Sequence, residues 1–348
     1  MLAAEMRDPS LVAVVPKREA ERLRRHLRQL GLLDSGRKIA ARGATVLIPI
    51  SRHPGNLTEF AAEIAEDTGL RERETRSTPF QLITDTVAVE PRLKRFLPDK
   101  WEMIGDVLML KLPRELDDCK VAVAEGYARV LGAKTVLQDV AGIDGIWRVP
   151  QVEKIWGGST ETVHLADGVR FKLDAAKVMF SSGNLPERMR MARISRPGET
   201  VVDMFSGIGY FAIPMAVHSR PERIYACEVN PVAFHYLEEN ARINRVEDLT
   251  PLLGDCRETA PEGVADRIIM GYLRAQGFLD KAMMVAGPEA VLHYHEACPN
   301  ELIGTRPWST VREAAEKAGR SIEQLHLQRL KSYAPGVSHI VLDARVSR

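Results

Sequence analysis

Short β-branched runs alternate with apolar stripes at helical spacing along most of the chain, a pattern that predicts an α/β protein. Leu11–Val15 reads as a strand, and Pro16 opens a helix over 17–33 with Ala20, Leu23, Leu27 and Leu30 on one stripe. Thr45–Ile50 is a second strand, and the pattern after it predicts an amphipathic helix burying Leu57, Phe60, Ala61 and Ile64. The charged run 70–79 reads as a linker. Beyond it, 101–112 contains a strand, 115–131 a helix, and 136–139 a strand. A hairpin follows over 162–171, turning at Asp167-Gly168. From there strands and helices alternate as in a doubly wound sheet. The strands are Thr200–Met204, Arg223–Cys227, Leu252–Cys256, Ala265–Leu273 and Ala290–His295, with a closing pair at 322–330 and 338–345. Three pieces are expected: a small α/β module (1–75), an α+β middle domain (80–175) and the sheet domain (176–348).

Composition narrows the class. The 348 residues are 45% apolar and 27% charged, as in an ordinary globular protein. The length suggests two or three domains at roughly 150 residues each. Four cysteines (119, 227, 256, 298) form no C-x-x-C pair, which points to reduced thiols, a cytoplasmic setting and no structural zinc. Nowhere do about 18 uncharged apolar residues run together, so no membrane span is expected. Net charge is only +1, yet Lys17, Arg18, Arg22, Arg24, Arg25 and Arg28 share the polar face of the first helix. That face reads either as solvated surface or as a nucleic-acid contact. His293 and His295 fall on one side of a strand with no third ligand, and read as sheet histidines rather than a metal site.

Candidate chemistry concentrates after the strand at Thr200. Asp203, Phe205 and the turn Ser206-Gly207-Ile208-Gly209 lead into a helix, and Gly207 and Gly209 let the backbone approach a ligand closely. Glu228 ends the second strand, 21 residues after Gly207, near the spacing at which an acid meets ribose hydroxyls. Ala212 stands where a dinucleotide fingerprint has its third glycine. The set resembles the S-adenosylmethionine site of Rossmann-like methyltransferases. Asp255 and Cys256, after the third strand, are candidates for the adenine edge. Just before the first strand, Ser181 and Arg188 can hold the carboxylate of the methionine tail, since a guanidinium grips a carboxylate through two parallel hydrogen bonds. Strand four ends in Gly271-Tyr272-Leu273. Amino-nitrogen methylases commonly carry Asn/Asp-Pro-Pro-Tyr there; here no amide acceptor is present, but Tyr272 offers a face for stacking on a base.

Five segments together carry a specific resemblance: Phe180-Ser-Ser-Gly-Asn184 with Glu187-Arg188, Asp203-Met-Phe-Ser-Gly-Ile-Gly209, Asp266-Arg-Ile-Ile-Met-Gly-Tyr272, His293-Tyr-His295, and Tyr333-Ala-Pro-Gly-Val337 with His339. They are similar to the archaeal tRNA wybutosine-synthesising protein 2 family, the tRNA-Phe 4-demethylwyosine aminocarboxypropyltransferases, a sister of the guanosine-37 N1 methyltransferases. The resemblance covers about residues 80–348. It implies a class I methyltransferase-like (Rossmann-like) C-terminal domain and S-adenosylmethionine as co-substrate. It also implies transfer of the 3-amino-3-carboxypropyl group to carbon 7 of 4-demethylwyosine, beside the anticodon of tRNA-Phe. Cofactor contacts are implied at Ser181, Arg188, Glu228, Asp255 and Cys256, with Asp203, Phe205, Gly207 and Gly209 shaping the pocket. Glu187 is the nearest candidate base, or equally an ion-pair partner of Arg190. A monomer is expected, with no metal. Methyl transfer to guanosine-37 and non-catalytic RNA binding stay open as alternatives.

Overall fold

The first apolar run becomes the middle of a four-stranded sheet. The computed structural model describes residues 11–67, 69–70, 77–145, 147–180 and 182–348, and the chain divides into one unit ending at Thr78 and a second from Pro79 to Arg348. In the first unit β1 (Leu11–Pro16), α1 (Ala20–Gln29), β2 (Ala40–Arg42), β3 (Thr45–Pro49) and β4 (Glu63–Glu66) give the sheet order β2-β3-β1-β4. Leu23 and Leu27 of α1 are buried against Ala13, Val15, Ile48 and Ile50. The helix expected over 57–64 is absent. Leu57 and Phe60 are buried as anticipated, but Ala61 takes left-handed backbone (φ 49°) and the chain runs on into β4, which pairs antiparallel with β1. Covering the open edge of β1 outweighs a helical stripe.

The second unit begins with α2 (Pro79–Thr86), β5 (Glu102–Ile104), β6 (Val107–Leu110), α3 (Lys120–Leu131), β7 (Thr135–Asp144) and β8 (Val149–Gly157), its strands ordered β5-β6-β7-β8. The hairpin β9 (Glu161–Ala166) and β10 (Val169–Asp174) turns at Asp167 and Gly168, both at positive φ as a two-residue primed turn requires. Then come α4 (Leu185–Met191), β11 (Thr200–Asp203), α5 (Ala212–His218), β12 (Arg223–Glu228), α6 (Pro231–Ile243), β13 (Leu249–Leu253), α7 (Cys256–Thr259), β14 (Ala265–Met270), α8 (Leu279–Val285), β15 (Ala286–Pro299), α9 (Arg306–Lys317), β16 (Ser321–Ala334) and β17 (Val337–Ser347). The seven strands β11 to β17 form one sheet in the order β13-β12-β11-β14-β15-β17-β16, parallel except that β17 runs against both neighbours.

This order reverses direction between β11 and β14, the place where open α/β sheets leave a crevice at the strands' carboxyl ends. A single apolar core runs from Ile104, Val107 and Leu137 through Phe171 and Phe180 to Val201, Ile213 and Ile224, so residues either side of position 175 share one interior. Asn240 of α6 fastens the crevice from behind. Its side chain, fully buried, accepts from Lys172 N and donates to the carbonyls of Lys172 and Ile208. Among the described residues no helix is long and apolar enough to cross a membrane.

Candidate functional site

A cavity of about 430 Å³ opens at this crevice, lined among others by Phe205, Gly207, Glu228, Gly271 and Tyr272 on one side and by Phe180, Arg188, Lys331, Tyr333 and His339 on the other. The turn after β11 is held in place before any ligand arrives. Gly207 and Gly209 sit at φ 58° and 96°, and a Cβ on Gly209 would come within 2.3 Å of Ile213. Glu228 accepts the Gly207 amide at 2.8 Å and the Asn230 amide at 2.7 Å, which fixes its carboxylate across the mouth of the turn. Burial raises its pKa, and these two amides oppose the rise. Asp203 is fully buried; one oxygen accepts the Phe205 amide at 3.2 Å and Oδ2 has no partner. Burial lifts its pKa to about 7.

Arg188 differs from every other guanidinium near the cavity. It is only 5% exposed, its Cζ lies 5.6 Å from the centroid of the Phe171 ring and 5.4 Å from that of Phe180, and both Nε and Nη1 are buried without a hydrogen-bond partner among the described residues. Burial depresses its pKa. A cation so enclosed needs a counter-anion, because unpaired buried donors cost more than paired ones return. Two cations more, Arg148 and Lys331, line the same cavity.

Glu187 points elsewhere. It is buried, both of its oxygens are gripped by Arg190 at 2.6 and 2.8 Å, and it is not among the cavity-lining residues. The structure thus realises its ion-pair alternative and leaves the carboxylate without free access to a substrate. Arg190 also holds Asp343, which accepts from His293; His293 in turn meets Arg267, and Arg267 is clamped by Glu199. His293 is therefore satisfied on both nitrogens, and burial lowers its pKa despite Asp343. His295 and His339 form a second buried contact, 2.9 Å between His295 Nδ1 and His339 Nε2. Among the described residues no group of His, Cys, Asp or Glu is arranged to hold a metal.

Tyr272 lines the cavity and packs against Phe205 (5.3 Å between rings), which itself meets Phe278 edge-on. A side chain at Gly271 would strike the Phe211 ring, at 2.8 Å from its Cβ, so the missing amide in this tripeptide is a matter of space as well as chemistry. Asp255 and Cys256 lie at the end of β13, beside Glu228 through the Gly254 amide, but outside the cavity wall. Asp255 caps α7 and is held by Arg257, whose hydrogen bonds keep its carboxyl below the usual range. Ser181 lies outside the described residues. Sequence reasoning passed over Lys331 and Tyr210, and gave no function to His339. Tyr210 is the first residue after the turn, and its hydroxyl donates to the Met179 carbonyl.

The sheet order, the glycine turn and the acid at the end of β12 define a class I methyltransferase-like domain, and the orphaned guanidinium fits a cofactor that brings a carboxylate. Residues 162–323 match the TRM5/TYW2 methyltransferase domain, 86–160 the TYW2 N-terminal domain, and 14–58 the tRNA methyltransferase 5 N-terminal domain. The chain belongs to the TRM5/TYW2 family, on the branch of the tRNA(Phe) 4-demethylwyosine aminocarboxypropyltransferases. It is 44% identical to the Pyrococcus horikoshii enzyme of that name over 73% of this chain and 91% of the relative. The crystal structure of P. horikoshii TYW2 in complex with MeSAdo superposes with a TM-score of 0.70 at 40% identity, covering 76% of this chain and 98% of the other. The tRNA (guanine(37)-N(1))-methyltransferase Trm5b of Pyrococcus abyssi is 36% identical over 97% of this chain and 99% of its own length.

Proposed function

We propose that this protein transfers the 3-amino-3-carboxypropyl group of S-adenosylmethionine to carbon 7 of 4-demethylwyosine at position 37 of tRNA-Phe, releasing methylthioadenosine. It works in the cytoplasm as a monomer, with its four cysteines as free thiols. The observation that carries the reading is Arg188: a buried cation in the wall of the cavity, close to two aromatic rings and unpartnered on two nitrogens among the described residues.

S-adenosylmethionine, when bound, supplies a sulfonium whose three attached carbons are all electrophilic. The residues around it decide which carbon meets the base. Glu228 and the Gly207–Gly209 turn take the ribose, and Asp203 and Phe205 shape the floor. Arg188 holds the carboxylate of the tail so that the chain rather than the methyl faces the tRNA. Tyr272 stacks on the tricyclic base. The absence of an amide at Gly271 fits a carbon nucleophile, which needs no acceptor for a ring N–H. The N-terminal unit, with exposed cations at Arg18 and Arg28, contributes to tRNA binding.

Cofactor labelled on either the methyl or the carboxyl carbon tests the reading with two RNAs, unmodified tRNA-Phe and tRNA-Phe carrying 4-demethylwyosine. Carboxyl label alone should enter RNA, and only in the second. Methyl label in the unmodified RNA would instead make the protein a guanosine-37 methyltransferase.

A further inference from the structure

The buried His295–His339 contact has no structural partner that accounts for it. His295 is fully buried, its Nδ1 meets His339 Nε2, and its own Nε2 has no hydrogen-bond partner among the described residues. That Nε2 lies 3.8 Å from Glu187 Oε1. A lone pair aimed at a carboxylate is repelled and an N–H is attracted, so the proton sits on His295 Nε2. Nδ1 of His295 must then accept, and His339 must donate from Nε2. One nitrogen is left: Nδ1 of His339, unprotonated, on a ring that lines the cavity.

We propose that His339 is the proton acceptor for carbon 7, with His295 as the positioning residue that fixes its tautomer and Glu187 as the charge behind it. The proposal rests on aminocarboxypropyl transfer as the reaction. As the bond from carbon 7 to the aminocarboxypropyl carbon forms, the carbon–sulfur bond breaks and its electron pair stays on sulfur. Carbon 7 now bears both the new chain and its hydrogen, and the base carries the positive charge. The carbon–hydrogen bond then breaks, its pair restores the ring's conjugation, and the proton goes to His339 Nδ1. The imidazolium formed donates through Nε2 to His295, whose Nε2–H faces the Glu187 carboxylate.

The groups around His339 suit this task. Lys331 stands across from it on β16, His295 on β15, and Glu187 and Arg190 come from α4. Burial and Lys331 lower its pKa to about 4, so it stays unprotonated at neutral pH. A weak base suffices, since a cationic ring carbon gives up its proton readily. Glu187, gripped by Arg190, need never reach the substrate.

Nitrogen-15 histidine spectra of the resting enzyme, assigned with His339→Gln and His295→Gln, read the tautomers without any turnover. His339 should carry its proton on Nε2 and keep Nδ1 free from pH 8 down to 5. A proton on Nδ1 would overturn the assignment. The second measurement is single-turnover transfer to tRNA-Phe bearing 4-demethylwyosine with hydrogen or deuterium at carbon 7. Wild-type transfer of carboxyl label secures the underlying reaction independently. His339→Gln, with cofactor affinity retained, should slow loss of the carbon 7 hydrogen from the alkylated base by about 10²-fold and give that loss a primary deuterium isotope effect. A slow variant with no isotope effect, or one as fast as wild type, would remove His339 from the proton transfer.

Discussion

The two ends of the cavity are built by opposite means. At the turn end, seven consecutive residues, Asp203 to Gly209, and one acid on the adjacent strand make the site, mostly through backbone amides. At the tail end, Arg188 from α4 lines the cavity together with Lys331 from β16 and His339 from β17, and Arg190 and Asp343 bond across 153 residues of sequence. The turn end is geometry that any domain of this topology repeats; the tail end is long-range and particular. In the proposed function, choice of the transferred group therefore belongs to the tail end, where the orphaned cation sits.

Their electrostatics differ in the same sense. Burial raises Asp203 at the turn end to about 7 and lowers His339 at the tail end to about 4. Both groups prefer to be neutral, and one fails as pH rises while the other fails as it falls.

The largest effect expected comes from Arg188→Met. S-adenosylmethionine binding should weaken by about 2–5 kcal/mol through loss of a buried charged partner. The same variant should unfold at slightly higher denaturant, by about 1 kcal/mol, because an unpaired buried cation is gone. Weaker binding with lower stability would mean that Arg188 is a structural support instead.

The pH dependence separates the ends next. For Asp203, the raised folded pKa means stability is fully present below the unfolded pKa near 3.9 and lost as pH rises through 7. Asp203→Asn should accordingly gain on wild type by about 3–4 kcal/mol between pH 4 and 8. His339 has the reverse sign: the unfolded chain takes its proton near 6.5 and the folded one only near 4, so wild type loses stability as pH falls between them. His339→Gln should then gain by about 3 kcal/mol from pH 7 to pH 4. Parallel denaturant titrations across this range check both, and a pH-independent difference for either variant would contradict its assignment.

Smaller is Glu228→Ala, which should weaken the cofactor by about 1–3 kcal/mol through lost ribose hydrogen bonds. Calorimetry showing unchanged affinity would take Glu228 out of the site. The smallest effect lies outside the cavity. Arg22, Arg24 and Arg25 of α1 are already paired with Glu19, Glu59 or Glu21, which leaves Lys17, Arg18 and Arg28 as exposed cations without an ion-pair partner among the described residues. Reversing Arg18 and Arg28 should lower the salt slope of tRNA binding by about one for each phosphate no longer neutralised. An unchanged slope would make that face solvated surface.

The turn end was legible in the sequence because its parts are adjacent or at fixed spacing: Gly207, Gly209 and Glu228 announce themselves by position. Gly271-Tyr272-Leu273 was legible as an absence, and the ring of Phe211 gives that absence a steric reason. Glu187 could be narrowed only to base or ion pair, since nothing local told which way it faced. His295 and His339 were visible as residues but not as a pair, because only the antiparallel insertion of β17 beside β15 brings them together. The helix read over 57–64 failed for a related reason: the need of β1 for an edge partner is not written in the segment that supplies it.

The most direct test of this division is a titration of two ligands against wild type, Arg188→Met, Glu228→Ala and the double variant. S-adenosylmethionine offers both ribose and carboxylate, whereas methylthioadenosine offers only the ribose end. Glu228→Ala should weaken both ligands alike. Arg188→Met should weaken S-adenosylmethionine and leave methylthioadenosine unchanged, with the two losses adding in the double variant, as expected for independent sites. If Arg188→Met weakened methylthioadenosine as much as S-adenosylmethionine, the tail end would not be where the carboxylate is held, and the account of how this enzyme selects its group would fall.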